Sequence, residues 1–271
     1  MKRISLAVSL VALVILMAST ECRAQWTLYD NFSAARISQD KWLGYEEATG
    51  HMEVVRRIES GKLHLFNRTY GADTGSNKGV LGLSFTNPDA IKGMRARVRI
   101  RSYEAEGCTA DTAAASTRLR LYGSFFNAGS ALEGDRTNDV QAYIGIRRNS
   151  NFSDPPNTLR VVASIWRCLN PSCATDADLE SIDYRELGTI ETQTWATLGI
   201  EWDPAKDRFL FLLGSKKVAV SYAEYLQDHM LKDEELPGYK GKALHTTETC
   251  PNCSESIGSM DGDIDFVHVK Y

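Results

Sequence analysis

The chain has 271 residues, with 31 basic against 35 acidic side chains, a formal net charge of −4 at pH 7, and hydrophobic residues at 43%. This is enough chain and enough apolar material for a sizeable core. The mild acidity argues against a general nucleic-acid binder.

The first element is a leader. Met1-Lys2-Arg3 precedes a run of mostly apolar, uncharged residues from Ile4 to Ala18, and Cys22-Arg23-Ala24 follows. A charged start, an apolar stretch and a small-x-Ala end form the pattern of a secretory signal cleaved after Ala24. The run is shorter than the ~20 apolar residues a membrane helix needs, and no later segment has that length. A lipid anchor on Cys22 is the rival, but Ser19-Thr20-Glu21 precedes the cysteine rather than the Leu-Ala-Gly of such sites. We expect residues 1–24 to be a signal peptide and 25–271 a single exported domain, periplasmic or extracellular. Losing Lys2, Arg3, Glu21 and Arg23 leaves a net charge of about −6.

After the leader, period-two alternation dominates. The spacing predicts a hairpin from Arg56-Arg57-Ile58-Glu59 through a Ser60-Gly61 turn into Lys62 to Phe66. Further strands are predicted at 80–85, 94–101, 118–122, 140–146, 159–166, 195–202, 208–213, 217–220 and 264–269, separated by Gly, Asn, Asp and Pro turns. The exception is 221–231, where apolar residues stand at 222, 225, 226, 230 and 231, and Ser221 with Glu224 has the form of a capping box. A short helix is predicted there.

Five cysteines follow the leader: 108, 168, 173, 250 and 253. In an oxidising compartment an odd count leaves one thiol over. Fifteen connectivities are open to five cysteines. The short loops 168–173 and 250–253 make local pairing the first choice, with Cys108 left over. A four-thiolate zinc site from the same loops is the alternative.

Arginine occupies every second position at 95, 97, 99 and 101, with Met94, Ala96, Val98 and Ile100 between them. In a strand this puts the apolar residues on one face and Arg95, Arg97, Arg99 and Arg101 on the other. Arg118 and Arg120 repeat the pattern with Leu119 and Leu121, so the two strands, if paired, would set six guanidiniums on one sheet. Such a face is either the solvated side of a strand or a surface that holds carboxylate or sulfate bidentately. Among the tryptophans after the leader, 26, 42, 195 and 202 read as core. Trp166, beside Arg167 and the Cys168 loop, reads as a candidate for exposure.

Asp261, Asp263 and Asp265 alternate along 260–266, an oxygen set of the kind calcium takes. The plainer alternative is the solvated start of a strand. No His-x-His or His-x-x-x-His spacing, phosphate loop, dinucleotide fingerprint or Gly-x-Ser-x-Gly occurs, so nothing supports a nucleotide cofactor or a catalytic transition metal.

The opening Trp26 to Phe32, then Ile37 to Trp42, then Gly61-Lys62-Leu63-His64-Leu65, resembles the start of bacterial concanavalin A-like lectin/glucanase domains. Gly199 to Phe209 is similar to their late hairpin, and Gly262 to Val267 to their closing strand. The resemblance implies a two-sheet antiparallel β-sandwich, a jelly roll, with first and last strands side by side. It also implies that a calcium ion can join those strands. Hydrolases of that superfamily carry Glu-x-Asp-x-(x)-Glu, whose alternation sets two carboxylates about a glycosidic bond. Here Glu133-Gly134-Asp135 begins correctly, but Thr137 and Asn138 stand where the second carboxylate belongs. Glu180, Asp183 and Glu186 are spaced by three, which would turn Asp183 away from its neighbours.

The sequence therefore points to an exported, non-catalytic, lectin-like domain that binds a polysaccharide or glycoconjugate, an anionic one being favoured. Arg95, Arg97, Arg99, Arg118, Arg120 and Trp166 are the candidate ligand-binding residues, Asp261, Asp263 and Asp265 the candidate calcium ligands, and no cofactor is required. The alternatives are a divergent glycoside hydrolase or lyase, and a structural envelope module without a small ligand.

Overall fold

The computed structural model describes residues 25–109, 113–128, 135–173, 176–223 and 241–271. Residues 1–24, the expected leader, lie outside them, and so does the body of the predicted helix. Ser221 ends a strand, and 224–240 are outside the described residues.

Among the described residues fifteen strands form two antiparallel sheets. They are β1 (Thr27–Asp30), β2 (Trp42–Ala48), β3 (Met52–Glu59), β4 (Lys62–Tyr70), β5 (Asn77–Phe85), β6 (Gly93–Glu106), β7 (Ser116–Asn127) and β8 (Asp139–Asn149). The rest are β9 (Thr158–Cys168), β10 (Leu179–Glu191), β11 (Trp195–Asp203), β12 (Arg208–Leu213), β13 (Lys216–Ser221), β14 (Lys242–Cys250) and β15 (Ile257–Lys270). The first sheet runs β13-β12-β11-β6-β15-β4-β3, with β1 also on β15, and the second runs β10-β9-β8-β7-β14-β5-β2. The chain changes sheet repeatedly, at β1/β2, β2/β3, β4/β5, β5/β6, β6/β7, β10/β11, β13/β14 and β14/β15. The sheets thus close over one core, and the first and last strands lie side by side, Thr27 opposite Val269. This is the jelly roll that the sequence resemblance implies.

The predicted hairpin forms as β3 and β4, its turn made by Ser60 (φ 51°) and Gly61 (φ 69°). Positive φ at both central residues gives the turn a twist that matches the flanking strands.

Alternation decides what faces the core. Met94, Ala96, Val98 and Ile100 of β6 are wholly buried, as are Leu119 and Leu121 of β7, Leu63 and Leu65 of β4, and Val161 and Ile165 of β9. At the core's aromatic end Phe126 stacks on Trp202 at 4.9 Å, and the Trp202 indole donates to the Tyr222 hydroxyl at 3.0 Å. Truncating one such large apolar side chain to alanine costs about 2–5 kcal/mol. Among the described residues no helix is long and apolar enough to cross a membrane.

The cysteines correct the expected pairing in part. Cys168 bonds Cys173 as expected, but Cys253 bonds Cys108, and Cys250 is the free thiol. The reason is alternation again. Cys250 continues the inward series Leu244, Thr246 and Glu248 of β14, is wholly buried, and donates its thiol to the Thr69 carbonyl at 3.1 Å. Cys253 lies beyond the strand end, where it reaches Cys108. Burial pushes the Cys250 thiol up to about 11.

Candidate functional site

The two sets of arginines that sequence groups together are separated by the sandwich. β6 belongs to the first sheet and β7 to the second, so Arg95, Arg97, Arg99 and Arg101 lie on one outer face of the molecule and Arg118 and Arg120 on the other. The expectation of six guanidiniums on one sheet is corrected, because the chain crosses between sheets in the connection joining those strands.

The β6 comb is already occupied. Arg97 donates to Asp265 at 2.9 Å, Arg99 to Asp263 at 2.5 Å, and Arg101 lies within 4 Å of Glu59, Asp261 and Asp263. Trp195, expected in the core, is half-buried on this outer face with the Arg97 and Arg99 guanidiniums 5.0 and 4.8 Å from its ring. Trp26, also expected in the core, lies under Arg95 at 4.9 Å in the same way. Trp42 and Trp202 are buried as expected.

The alternating aspartates do share one face, as period-two alternation places them. Each faces a protein cation: Asp263 and Asp265 accept the arginines just named, and Asp261 lies 3.9 Å from Arg101 Nε, with His64 Nε2 at 2.9 Å. Among the described residues no group of three or more His, Cys, Asp or Glu is placed to hold a metal ion.

The outer face of the second sheet is different. It forms an open groove of about 670 Å³ whose lining includes Arg118, Arg120 and Trp166. Cross-strand register arranges it in rows. In the central row Tyr45, Gly82, His245, Arg120 and Gly145 are successive partners across β2, β5, β14, β7 and β8. The two glycines make room, since a Cβ on Gly82 would sit 2.6 Å from the Tyr45 ring and one on Gly145 2.8 Å from Arg120 Cβ. On one side Arg118, Arg147 and Arg160 are consecutive partners. On the other, Tyr122, Tyr143, Ser164 and Tyr184 follow one another, and beyond them Gln141 opposes Trp166. The groove therefore has a basic flank and an aromatic flank.

At its centre Tyr45 Oη is 2.5 Å from His245 Nδ1, and Arg120 Nε donates to His245 Nε2. Guanidinium nitrogen only donates, so Nε2 is the accepting nitrogen and Nδ1 carries the hydrogen, donating to Tyr45. Burial, reinforced by Arg120, holds the His245 pKa well below the usual histidine range. Burial likewise raises the Tyr45 phenol, keeping it neutral. The Arg120 guanidinium also lies over the Tyr122 and Tyr143 rings, at 5.7 and 5.4 Å.

Among the described residues the basic side chains of the lining are Lys78, Arg118, Arg120, Arg136 and Arg147, against one acid, Glu47. Arg136 is paired at 3.3 Å with Asp139, whose buried carboxyl is raised to about 6. None of Glu180, Asp183 and Glu186 lines the groove. They bind Arg167, Arg185 and Arg160 respectively. Asp135 caps the turn at Thr137, and Glu133 lies outside the described residues.

Sequence reading overlooked Tyr45, His245, Gln141, Tyr143 and Tyr184. The signal for His245 was present, since Leu244, Thr246 and Glu248 alternate with His245 and Thr247 in a β-branched run.

Fold and site together define an all-β jelly roll carrying a basic and aromatic groove on one sheet. No family model matches the chain, and no curated protein matches it. Solved structures similar to it include a beta-1,3-glucanase from Mycobacterium marinum, at 13% identity over 90% of this chain and 97% of that one, TM-score 0.39. A pseudo beta-1,3-glucanase of Mycobacterium tuberculosis, described as an immunostimulatory antigen, is similar at 13% identity over 91% and 97%, TM-score 0.39. Alginate lyase A1-II′ is similar at 8% identity over 91% and 93%, TM-score 0.39. At these identities and TM-scores the likenesses say nothing of what this chain binds or does.

Proposed function

We propose that this is an exported carbohydrate-binding protein whose groove on the second sheet takes an acidic polysaccharide without cleaving it. The observation that carries the reading is the lining: five basic side chains against one acid, beside a row of tyrosines and Trp166. Aromatic rings offer flat apolar surfaces to sugar rings, and arginine forks match carboxylate and sulfate oxygens. The two disulfides fit an oxidising compartment.

The chemistry of the groove favours binding over catalysis. Hydrolysis by paired carboxylates needs two acids, and the described lining supplies Glu47 alone. Elimination next to a uronate carboxylate needs a base with an available lone pair. The His245 lone pair is taken by Arg120, and the Tyr45 phenol is held neutral. Equilibrium titration against polygalacturonate, polymannuronate, dextran sulfate and a neutral glucan tests the reading, with reducing ends and unsaturated uronate followed in parallel. Binding of acidic polymers without product formation is expected. Preference for the neutral glucan, or turnover of any polymer, would contradict it.

A further inference from the structure

The wall of the groove beyond the aromatic row is built on the Cys168–Cys173 disulfide, and its sulfurs act as hydrogen-bond acceptors. Gln141 Nε2 donates to Cys168 Sγ at 3.0 Å and lies 3.3 Å from Cys173 Sγ. The other end of the same amide, Oε1, accepts the Tyr122 hydroxyl at 2.7 Å. Tyr122 in turn stacks on His245 at 5.6 Å and lies under Arg120. The sulfurs thus fix the orientation of an amide that fixes a tyrosine at the centre of the groove.

The same loop seats a cation. Pro171 O accepts Arg136 N–H at 3.2 Å and Cys168 O accepts Asn138 N–H at 2.9 Å, which holds the turn carrying Arg136. Within the loop Asn170 Oδ1 collects the backbone N–H groups of Ser172 and Cys173, at 3.1 and 2.9 Å. Cys173 occupies left-handed backbone (φ 45°), costly for a non-glycine residue and maintained by its surroundings.

We propose that the Cys168–Cys173 disulfide is a positioning element of the ligand groove rather than a brace of the fold. It sets Gln141 and Arg136, and through Gln141 the Tyr122–Arg120–His245 centre. The two disulfides differ in the way this requires. Cys108–Cys253 spans 145 positions and neither of its cysteines is among the described lining residues, whereas Cys168–Cys173 spans 5 and contacts the lining directly. Closing a short loop removes little chain entropy, so the small ring contributes mainly through the geometry it imposes.

The inference rests on the groove binding an acidic glycan, and its test keeps the two apart. Full-length mature protein is titrated with a polygalacturonate oligomer and with dextran sulfate, as wild type, C168S/C173S, Q141A, their combination, and C108S/C253S. Wild type should bind. C168S/C173S and Q141A should each weaken binding about tenfold, equivalent to ~1.4 kcal/mol. The combination should be no weaker than the weaker of the two, because both break one relay. C108S/C253S should lose thermal stability and keep its affinity. If that variant does not fold, the cycle between Gln141 and the small disulfide decides alone. Wild-type affinity in C168S/C173S would overturn the proposal, as would fully additive losses in the combination. Failure of wild type to bind either polymer would instead remove the groove reading itself.

Discussion

Arg118 of β7 and Arg147 of β8 stand directly opposite one another across the second sheet, two cations paired where opposite charges would stabilise. An anion held by both guanidinium forks binds the folded protein and so stabilises it. A sulfated or carboxylated polymer at one hundred times its Kd should therefore stabilise the fold by about 2.7 kcal/mol. Thermal unfolding with and without polymer reads this directly. The gain should shrink between low and high salt, and R147Q should reduce both the gain and its salt dependence. An equal gain in wild type and R147Q would detach this residue from binding.

Glu248 is a core carboxyl. It is wholly buried on the inward face of β14, Thr117 Oγ1 lies 3.1 Å from Oε1, and burial raises its pKa well above the usual range. A carboxyl whose folded pKa is raised stabilises the fold at pH below its unfolded value, near 4.5, and loses that contribution as pH climbs toward the folded value. The slope in that window is about 1.4 kcal/mol per pH unit. E248Q keeps the shape and the Thr117 contact without the proton, so it should be more stable than wild type at pH 8 and about equal at pH 4. Denaturant unfolding at both pH values checks this. Equal destabilisation at both would mean that the group is ionised and paired.

His245 predicts the opposite limb. Its folded pKa is depressed, so the unfolded chain takes up a proton first. Stability should fall as pH drops below the ordinary histidine value, near 6.5. H245Q should flatten that acid limb, and histidine titration followed by NMR should show one ring neutral through the range. A ring at this position titrating near 6.5 would contradict the assigned tautomer and its Arg120 contact.

The cysteines give a chemical prediction. Chain entropy assigns about 5 kcal/mol to closing the 145-position Cys108–Cys253 loop and about 2 kcal/mol to the 5-position Cys168–Cys173 ring. The remaining thiol, Cys250, is buried and raised to about 11. Alkylation of native protein should label none of Cys108, Cys168, Cys173, Cys250 and Cys253, and alkylation in denaturant should label Cys250 alone among them. Rapid labelling of Cys108 in native protein would refute the observed pairing.

The fold was legible because alternation is local. The inward set of β6 and the β3–β4 turn at Ser60-Gly61 follow from neighbouring residues alone. Which sheet a strand joins is not local, so Arg97 and Arg120 look alike in sequence and yet lie on opposite faces. The same limit hid the neutralisation of the comb, since Asp263 and Asp265 are more than 160 positions from the arginines they bind. The central row was hidden for a related reason. Tyr45 and His245 are 200 positions apart and meet through Gly82, a residue with no side chain to announce a site. Cys250 was misassigned because a Cys-Pro-Asn-Cys loop suggests its own closure, whereas the alternation of β14 turns Cys250 inward.

On the proposed function the ligand face is the groove of the second sheet and not the arginine comb of the first. One measurement separates them: binding of dextran sulfate and polygalacturonate, titrated across salt, by R118Q/R147Q and by R97Q/R99Q. The groove pair should lose at least about tenfold in affinity, some 1.4 kcal/mol, and its salt slope should flatten by up to two units. The comb pair, whose charges Asp263 and Asp265 already satisfy, should bind as wild type does. Loss of binding in R97Q/R99Q with full binding in R118Q/R147Q would place the ligand on the opposite face and contradict the account.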